Sequence, residues 1–141
     1  MSDFNATCAR IYRDWHERAR ARDTDGLLAL YAIDAVLETP LVQAVYSDRR
    51  DGILRGHAEI RPFFDEATRR PLNELVRWYR TGRWLTDGER VMAWEYPRET
   101  PEGDQVDLVE LMEIADGLIR SHRVYGGWLG TGLLTRSRDL I

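Results

Sequence analysis

Apolar positions in the first part of the chain recur with the spacing of helices. Between residues 5 and 22 they fall three or four apart, which indicates an amphipathic helix. An Asp-Thr-Asp-Gly stretch at 23–26 ends this helix, and Asp23 or Thr24 can cap a short second helix through residues 27–31. A third helix is predicted from residue 56 to 70, with one apolar face that carries Ile60, Phe63, Phe64 and Ala67.

The remaining segments alternate or are rich in β-formers. A strand is predicted over residues 35–40, closed by a proline, and residues 41–55 are expected to form a long loop of the kind often used as a lid. Further strands, separated by turn signals, are predicted at 74–85, 90–98, 106–115 and 118–125. Helices followed by an antiparallel meander predict an α+β fold, with one domain over residues 1–141 and a C-terminal tail from 129.

The amino-acid composition excludes several classes of protein. The chain has 141 residues, of which 43% are hydrophobic and 31% charged, as in a globular domain. No apolar run approaches the roughly 18 residues of a membrane span, and the first residues lack a signal-peptide pattern. Cys8 is the single cysteine, which excludes an intrachain disulfide. We therefore expect a cytoplasmic protein with no membrane partner.

Charge and histidine spacing bear on partners and cofactors. The net charge is −4, and all twenty basic residues are arginines scattered among carboxylates. A nucleic-acid partner is not expected, because such proteins carry a basic stripe. His16, His57 and His122 fall in different predicted elements without the spacing of metal ligands, and no phosphate-binding glycine loop is present. The sequence thus predicts no metal and no cofactor.

One carboxylate stands on an otherwise apolar strand face. Glu110 shares that face with Val106, Leu108, Met112 and Ile114. A buried carboxylate must be paired or neutral. A three-residue loop at 115–117 would place Glu110 opposite His122, as an acid–base dyad. A two-residue turn at 116–117 would place it opposite Arg123, as an ion pair without chemistry. The pattern leaves both registers open.

Two other carboxylates lie in predicted strands. Glu38 is expected on the surface if the neighbouring Thr39 points inward. Glu95 shares a face with Val91 and Ala93, so it is a second candidate for a pocket carboxylate.

Aromatic residues are numerous for a chain of this size. The five tryptophans, together with several tyrosines and phenylalanines, can line an apolar ligand pocket. They can equally pack in the core or form a dimer interface. The pair Gly126-Gly127 lets the chain bend, which could bring Trp128 over a pocket mouth.

Four stretches together resemble a known superfamily. They are 23–32 (DTDGLLALYA), 34–40 (DAVLETP), 56–64 (GHAEIRPFF) and the Asp-Gly-Leu-Ile turn at 116–119. From about residue 8 to 128 the chain resembles the nuclear transport factor 2-like superfamily, which includes SnoaL-like polyketide cyclases and ketosteroid isomerases. The resemblance implies a cone-shaped roll, in which three N-terminal helices pack on a curved, mainly antiparallel sheet and enclose a pocket. It also implies homodimers through the outer face of the sheet.

The ketosteroid isomerase pattern can be carried over position by position. The position of the isomerases' general-base aspartate is Thr39 here, which cannot act as a base. The position of their oxyanion-donating tyrosine is Trp15. Their second donor, a protonated aspartic acid, corresponds to Glu110, and His122 is the next inward position opposite. Two of three catalytic groups differ, so ketosteroid isomerase activity itself is not expected. The resemblance favours the register that pairs Glu110 with His122.

These considerations predict a cofactor-free isomerase, cyclase, dehydratase or hydrolase that acts on a hydrophobic small molecule. Glu110 and His122 would transfer protons, and Trp15 or Tyr31 would donate a hydrogen bond to a substrate oxygen. The alternative is a non-catalytic small-molecule-binding or dimerisation module, which Thr39 favours. The predicted substrate-binding residues are Trp15, Tyr31, Thr39, Phe63, Trp78, Trp94, Met112, Val124 and Trp128.

Overall fold

The computed structural model describes residues 3–69, 77–130 and 132. The first half contains most of the helices, with the elements α1 (Asp3–Arg20), α2 (Thr24–Leu28), β1 (Tyr31–Glu38), α3 (Leu41–Val45), β2 (Ile53–Arg55) and α4 (Gly56–Arg69). The second half contains strands, namely β3 (Arg77–Trp78), β4 (Leu85–Thr86), β5 (Val91–Glu95), β6 (Arg98–Glu99), β7 (Gln105–Val106), β8 (Leu108–Ala115) and β9 (Leu118–Gly126).

Six strands form a curved, open sheet in the order β2-β1-β9-β8-β5-β4. Every neighbouring pair is antiparallel except β1 and β9, which run parallel. A smaller antiparallel sheet has the order β3-β6-β7. The predicted α+β fold, with N-terminal helices on a mainly antiparallel sheet, is confirmed.

The helices are amphipathic and bury one face each. Helix α1 buries Cys8, Ile11, Trp15 and His16, at the predicted spacing. Asp23 caps α2, since its carboxylate accepts the Gly26 N–H at 2.9 Å. The side chains that α4 buries, Ile60, Phe63 and Phe64, belong to the same core as the inward residues of the sheet. Within the described ranges, no helix is both long and apolar enough to cross a membrane.

The segment 41–55 is more structured than predicted. It contains the short helix α3 and the strand β2, whose Leu54 pairs with Leu37 of β1. The Thr39 N–H donates to the Gly52 carbonyl at 2.9 Å and closes the segment against the end of β1. The prediction of a plain loop was therefore wrong here.

Two predicted strands are interrupted. Of the strand predicted over 74–85, residues 74–76 lie outside the described residues, and the rest holds β3 and β4 in different sheets. The strand predicted over 90–98 breaks at Pro97, which has no N–H to donate, and continues as β6 in the smaller sheet. Residues 131 and 133–141 of the predicted tail also lie outside the described part of the chain.

The β8–β9 hairpin has a register that differs from both predicted alternatives. Its turn consists of Asp116 and Gly117, with φ angles of 54° and 73°, as a two-residue primed turn requires. The register then shifts, because Arg120 is an extra residue in β9. This bulge leaves Glu110 directly opposite Val124, with Arg123 opposite Leu111.

The bulge also changes which side chains of β9 share a face. Strict alternation would place Leu118 and Arg120 on the same face as His122. Instead, Ile119 is fully buried and Arg120 is exposed. His122, opposite Met112, returns to the buried face after the bulge.

Candidate active site

Glu110 and His122 are in contact although they are not directly opposite. The two side chains lie on the same face of neighbouring strands, one step apart along a diagonal, which is within reach of long side chains. Glu110 Oε2 and His122 Nε2 form a hydrogen bond. The side chains are 4% and 3% exposed, respectively, so the pair is shielded from bulk water.

The hydrogen-bonded chain continues on the other side of the imidazole. His122 Nδ1 lies 2.7 Å from the Tyr31 hydroxyl, and Trp15 Nε1 donates to that hydroxyl at 3.1 Å. Desolvation by burial raises the pKa of Tyr31 well above its ordinary value of 10.0, so the phenol keeps its proton. Four side chains from α1, β1, β8 and β9 are thereby linked in the order Trp15, Tyr31, His122, Glu110.

The direction of each hydrogen bond follows from what the groups can donate. The Trp15 indole can only donate, so the Tyr31 oxygen accepts from it. The Tyr31 proton then points to His122 Nδ1, and Nε2–H of a neutral imidazole donates to the Glu110 carboxylate. A proton on Nδ1 would leave the Tyr31 O–H with no acceptor among the described residues. This assignment gives a partner to the Trp15 N–H, to the Tyr31 hydroxyl and to both nitrogens of His122.

A cavity of about 130 Å³ lies against three of these side chains, Trp15, His122 and Glu110. Its walls are mostly apolar, from Trp15, Ala19, Leu27, Leu37, Leu41, Phe63, Phe64, Ala67, Tyr96, Leu108 and Val124. Among the described residues, six polar or charged ones complete the walls, Arg22, Thr39, Thr68, Arg98, Glu110 and His122. Apolar walls with a few convergent polar groups are typical of small-molecule sites.

The structure brings six of the predicted site residues to the cavity, namely Trp15, Thr39, Phe63, Glu110, His122 and Val124. Tyr31 bonds to His122 and Met112 lies opposite it, yet neither borders the cavity. Trp94 packs against Trp15 with ring centroids 5.6 Å apart, and Trp78 packs against Tyr96 at 5.0 Å. Both tryptophans lie outside the cavity lining.

Three further expectations need correction. Trp128 is 89% exposed and does not cover the cavity. Glu95 lies on the outer, exposed side of β5 and faces Arg80, so it is not a pocket carboxylate. Trp15 and Tyr31 already donate their protons within the buried chain, so neither has a proton free for a substrate oxygen. Glu38 is exposed, as predicted.

Among the lining residues that sequence reasoning missed, two are buried and carry polar groups, Tyr96 and Arg98. Both are buried, and desolvation raises the pKa of Tyr96 above its ordinary value, so its phenol stays protonated. A signal was available, because the buried alternation of Met92 and Trp94 continues in step through Tyr96 to Arg98. Thr39 lines the cavity as well, and its Oγ1 accepts the Leu41 N–H at 3.3 Å near the start of α3.

Comparison with known proteins gives the following matches. A family model described as a SnoaL-like domain matches residues 12–122. A SnoaL-like protein of unknown function from Burkholderia thailandensis is 20% identical, with a TM-score of 0.69, over 86% of this chain and 95% of its own. A steroid delta-isomerase from Pseudomonas aeruginosa is 18% identical, with a TM-score of 0.66, over 96% of this chain and 90% of its own.

An epoxide hydrolase/cyclase-like enzyme, SalBIII, described in pyran ring formation in the polyether salinomycin, is 19% identical. Its TM-score is 0.62, over 91% of this chain and 95% of its own. No curated protein gives a significant match. At these identities the solved structures establish a common fold, and the family match spans most of the chain. The chain therefore belongs to the SnoaL-like domain family.

Proposed function

We propose that the cavity binds a mainly apolar small molecule and that Glu110 moves a proton on it. The reaction class is isomerisation, cyclisation, dehydration or hydration without a cofactor. The observation that carries the proposal is the buried chain from Trp15 to Glu110, which ends in a carboxylate at an apolar cavity. A carboxylate shielded from water and held by an imidazole is suited to general acid–base work.

In this proposal, the two members of the dyad have different roles, which follow from their hydrogen bonds. Both nitrogens of His122 are occupied, by Glu110 and by Tyr31. Glu110 uses Oε2 for His122, while Oε1 has no hydrogen-bond partner in the described part of the chain. Oε1 is thus the atom that takes a proton from a carbon next to a carbonyl and returns it elsewhere on the ligand. His122 is a positioning residue that holds the carboxylate in place.

Tyr96 donates the hydrogen bond to a ligand oxygen that was expected from Trp15 or Tyr31. Its phenol is buried, protonated and part of the cavity lining. A protonated phenol in a dry site can stabilise the negative charge that develops on a ligand carbonyl oxygen. Two proteins with this fold, a steroid delta-isomerase and an epoxide hydrolase/cyclase-like enzyme, support this reaction class.

Hydrogen–deuterium exchange tests the proton transfer without a known substrate. Small aryl ketones such as 1-indanone are incubated in deuterium oxide, and loss of the proton next to the carbonyl is followed by NMR. We expect the native protein to accelerate exchange, and Glu110→Gln to lose about 100-fold or more of that rate. The amide oxygen of this variant can still accept from His122, so ligand affinity should change by less than about threefold. Glu113→Gln, on the outer face of the same strand, is the matched control.

A non-catalytic binding module is the second candidate. It is favoured by Thr39, which occupies the position of the isomerases' base and cannot take a proton. Saturable binding of the ketones, with equal exchange rates in native protein, Glu110→Gln and buffer, would establish this candidate and exclude the first.

We further propose that two copies of the chain pair through the outer face of the large sheet. Val109 and Tyr125 are cross-strand partners there, and they are 43% and 55% exposed. A shallow cleft of about 230 Å³ lies beside them, with Arg80 and Glu95 among its lining residues. An apolar centre with charged neighbours is the usual composition of a subunit interface.

A further inference from the structure

Among the residues that the structure describes, Arg98 is a buried cation without a carboxylate partner. It is only 9% exposed, and its Nε is buried with no hydrogen-bond partner in the described part of the chain. In the ranges 3–69 and 77–130, no carboxylate oxygen lies within 4 Å of its guanidinium. Its neighbour is the Tyr96 ring, whose centroid lies 5.1 Å from Cζ. A buried charge is strongly unfavourable unless an opposite charge accompanies it, and within the described ranges this guanidinium has no such charge beside it.

The charged residues around the cavity favour the binding of one anion. Arg98 and the exposed Arg22 both line it, while Glu110 is the only acidic residue among the described lining residues. Glu110 is already held by His122, which is neutral in the assigned hydrogen-bond arrangement. The described lining residues therefore carry one positive charge in excess, which a ligand with a single negative charge would neutralise.

The cavity dimensions fit a small aromatic body. Its volume of about 130 Å³ is close to that of apolar protein cavities of about 150 Å³ that bind benzene. Phe63, Phe64 and Trp15 supply apolar walls for a ring. The guanidinium of Arg98 offers the planar fork of donors that matches a carboxylate.

We propose that the ligand of this cavity is an aromatic or similarly compact apolar carboxylate, and that Arg98 binds its carboxylate group. The inference rests on the proposed small-molecule function of the cavity and adds the chemical class of the ligand. In this arrangement Arg98 anchors one end of the molecule, and the apolar body lies against the walls that Glu110 borders.

Calorimetric titration with three matched probes tests the proposal. Benzoate, benzamide and phenyl phosphate share one ring and differ in the charge they carry. We expect benzoate to bind at least about tenfold more tightly than benzamide. Arg98→Met should weaken benzoate binding by about ten- to hundredfold and leave benzamide unchanged. Arg55→Met, which removes an exposed arginine outside the cavity, should change neither affinity.

The outcomes separate this inference from the function on which it rests. Equal binding of benzoate and benzamide, unaffected by Arg98→Met, would overturn the carboxylate inference and retain the pocket. A preference for phenyl phosphate over benzoate would overturn the assignment of the anion. Failure of all three probes to bind at millimolar concentration would contradict the pocket function together with the inference.

Thermal unfolding tests whether the role of Arg98 is purely structural. Because an unpartnered buried charge destabilises the fold, Arg98→Met should unfold at the same temperature as the native protein or higher. A lower midpoint would show that Arg98 is needed for the fold and would overturn the proposal. Arg98→Lys keeps the charge without the fork, and it should bind benzoate about tenfold more weakly than native protein while benzamide binding stays unchanged.

Discussion

His122 is held from two directions by residues of different strands. Glu110 of β8 accepts from Nε2, and Tyr31 of β1 donates to Nδ1. The imidazole can therefore neither rotate nor change tautomer without breaking a buried hydrogen bond, which is costly in a dry environment. A fixed imidazole fixes the carboxylate in turn, so the orientation of Glu110 depends on Tyr31 and Trp15, residues that do not hydrogen-bond to it themselves.

Removal of the Tyr31 hydroxyl group tests the role of this hydrogen-bonded chain of side chains. Tyr31→Phe leaves both the Trp15 N–H and His122 Nδ1 without a partner, so the free energy of unfolding should fall by about 1–3 kcal/mol. Urea denaturation measures it. The control is Tyr12→Phe, whose hydroxyl accepts the Gly82 N–H near the surface at 2.6 Å, and the loss should there stay below about 1 kcal/mol. Equal losses in the two variants would mean that the buried chain has no special role.

Strand alternation predicted the burial of Glu110 but not its partner. Alternation depends only on the period of the backbone, so the lone carboxylate on an apolar face was recognisable in the sequence. The partner depends on register, which an extra residue at Arg120 shifts by one position. Nothing in the local sequence marks a bulge at an arginine. The burial of Arg98 was missed for a related reason. The strand breaks at Pro97, but the alternation of inward-facing residues continues to Arg98.

The turn between β4 and β5 depends on one ionised side chain. The Asp87 carboxylate accepts backbone N–H groups of Arg90, Val91 and Glu89, which lower its pKa from 3.8 to about 2. A lowered pKa in the folded state means that this contribution to stability is complete above about pH 4 and is lost as pH falls through about 2.

Acid unfolding measures the contribution of that turn. Between pH 4 and pH 2 the native protein should lose stability more steeply than Asp87→Asn, because the variant has no carboxylate to protonate. Asp48→Asn, which removes an exposed carboxylate of the segment 41–55, should follow the native curve in this range. Coinciding acid transitions for native protein and Asp87→Asn would contradict the role assigned to Asp87.

At the scale of the whole molecule, the resemblance of four short segments to a known superfamily was enough to predict the fold. The helix spacing and turn signals placed most elements, and the order of helices before strands gave the α+β class. The division of the strands between two sheets could not be deduced, since it depends on long-range pairing rather than on local pattern. The cavity shares this limit, because its lining comes from helices and strands far apart in sequence.

The assembly proposed for the outer sheet face can be measured by sedimentation. We expect the native protein to sediment at twice the 16.4 kDa mass of the chain. The double variant Val109→Glu/Tyr125→Glu should sediment as a monomer, because it places charges at the centre of the interface. Ala6→Glu, at an exposed position on α1 and away from the sheet, should remain a dimer. A monomeric native protein at micromolar concentration would exclude the proposed pairing.

The parallel pairing of β1 with β9 has a consequence for how the site is assembled. Glu110 and His122 are 12 residues apart and belong to one hairpin, which can form early from local contacts. Tyr31 and His122 are 91 residues apart. Their contact requires closure of a long loop, which is intrinsically slow. During synthesis, β1 can therefore pair with β9 only after β9 has been made. We expect the contact between Glu110 and His122 to form in folding intermediates before Tyr31 orients the imidazole.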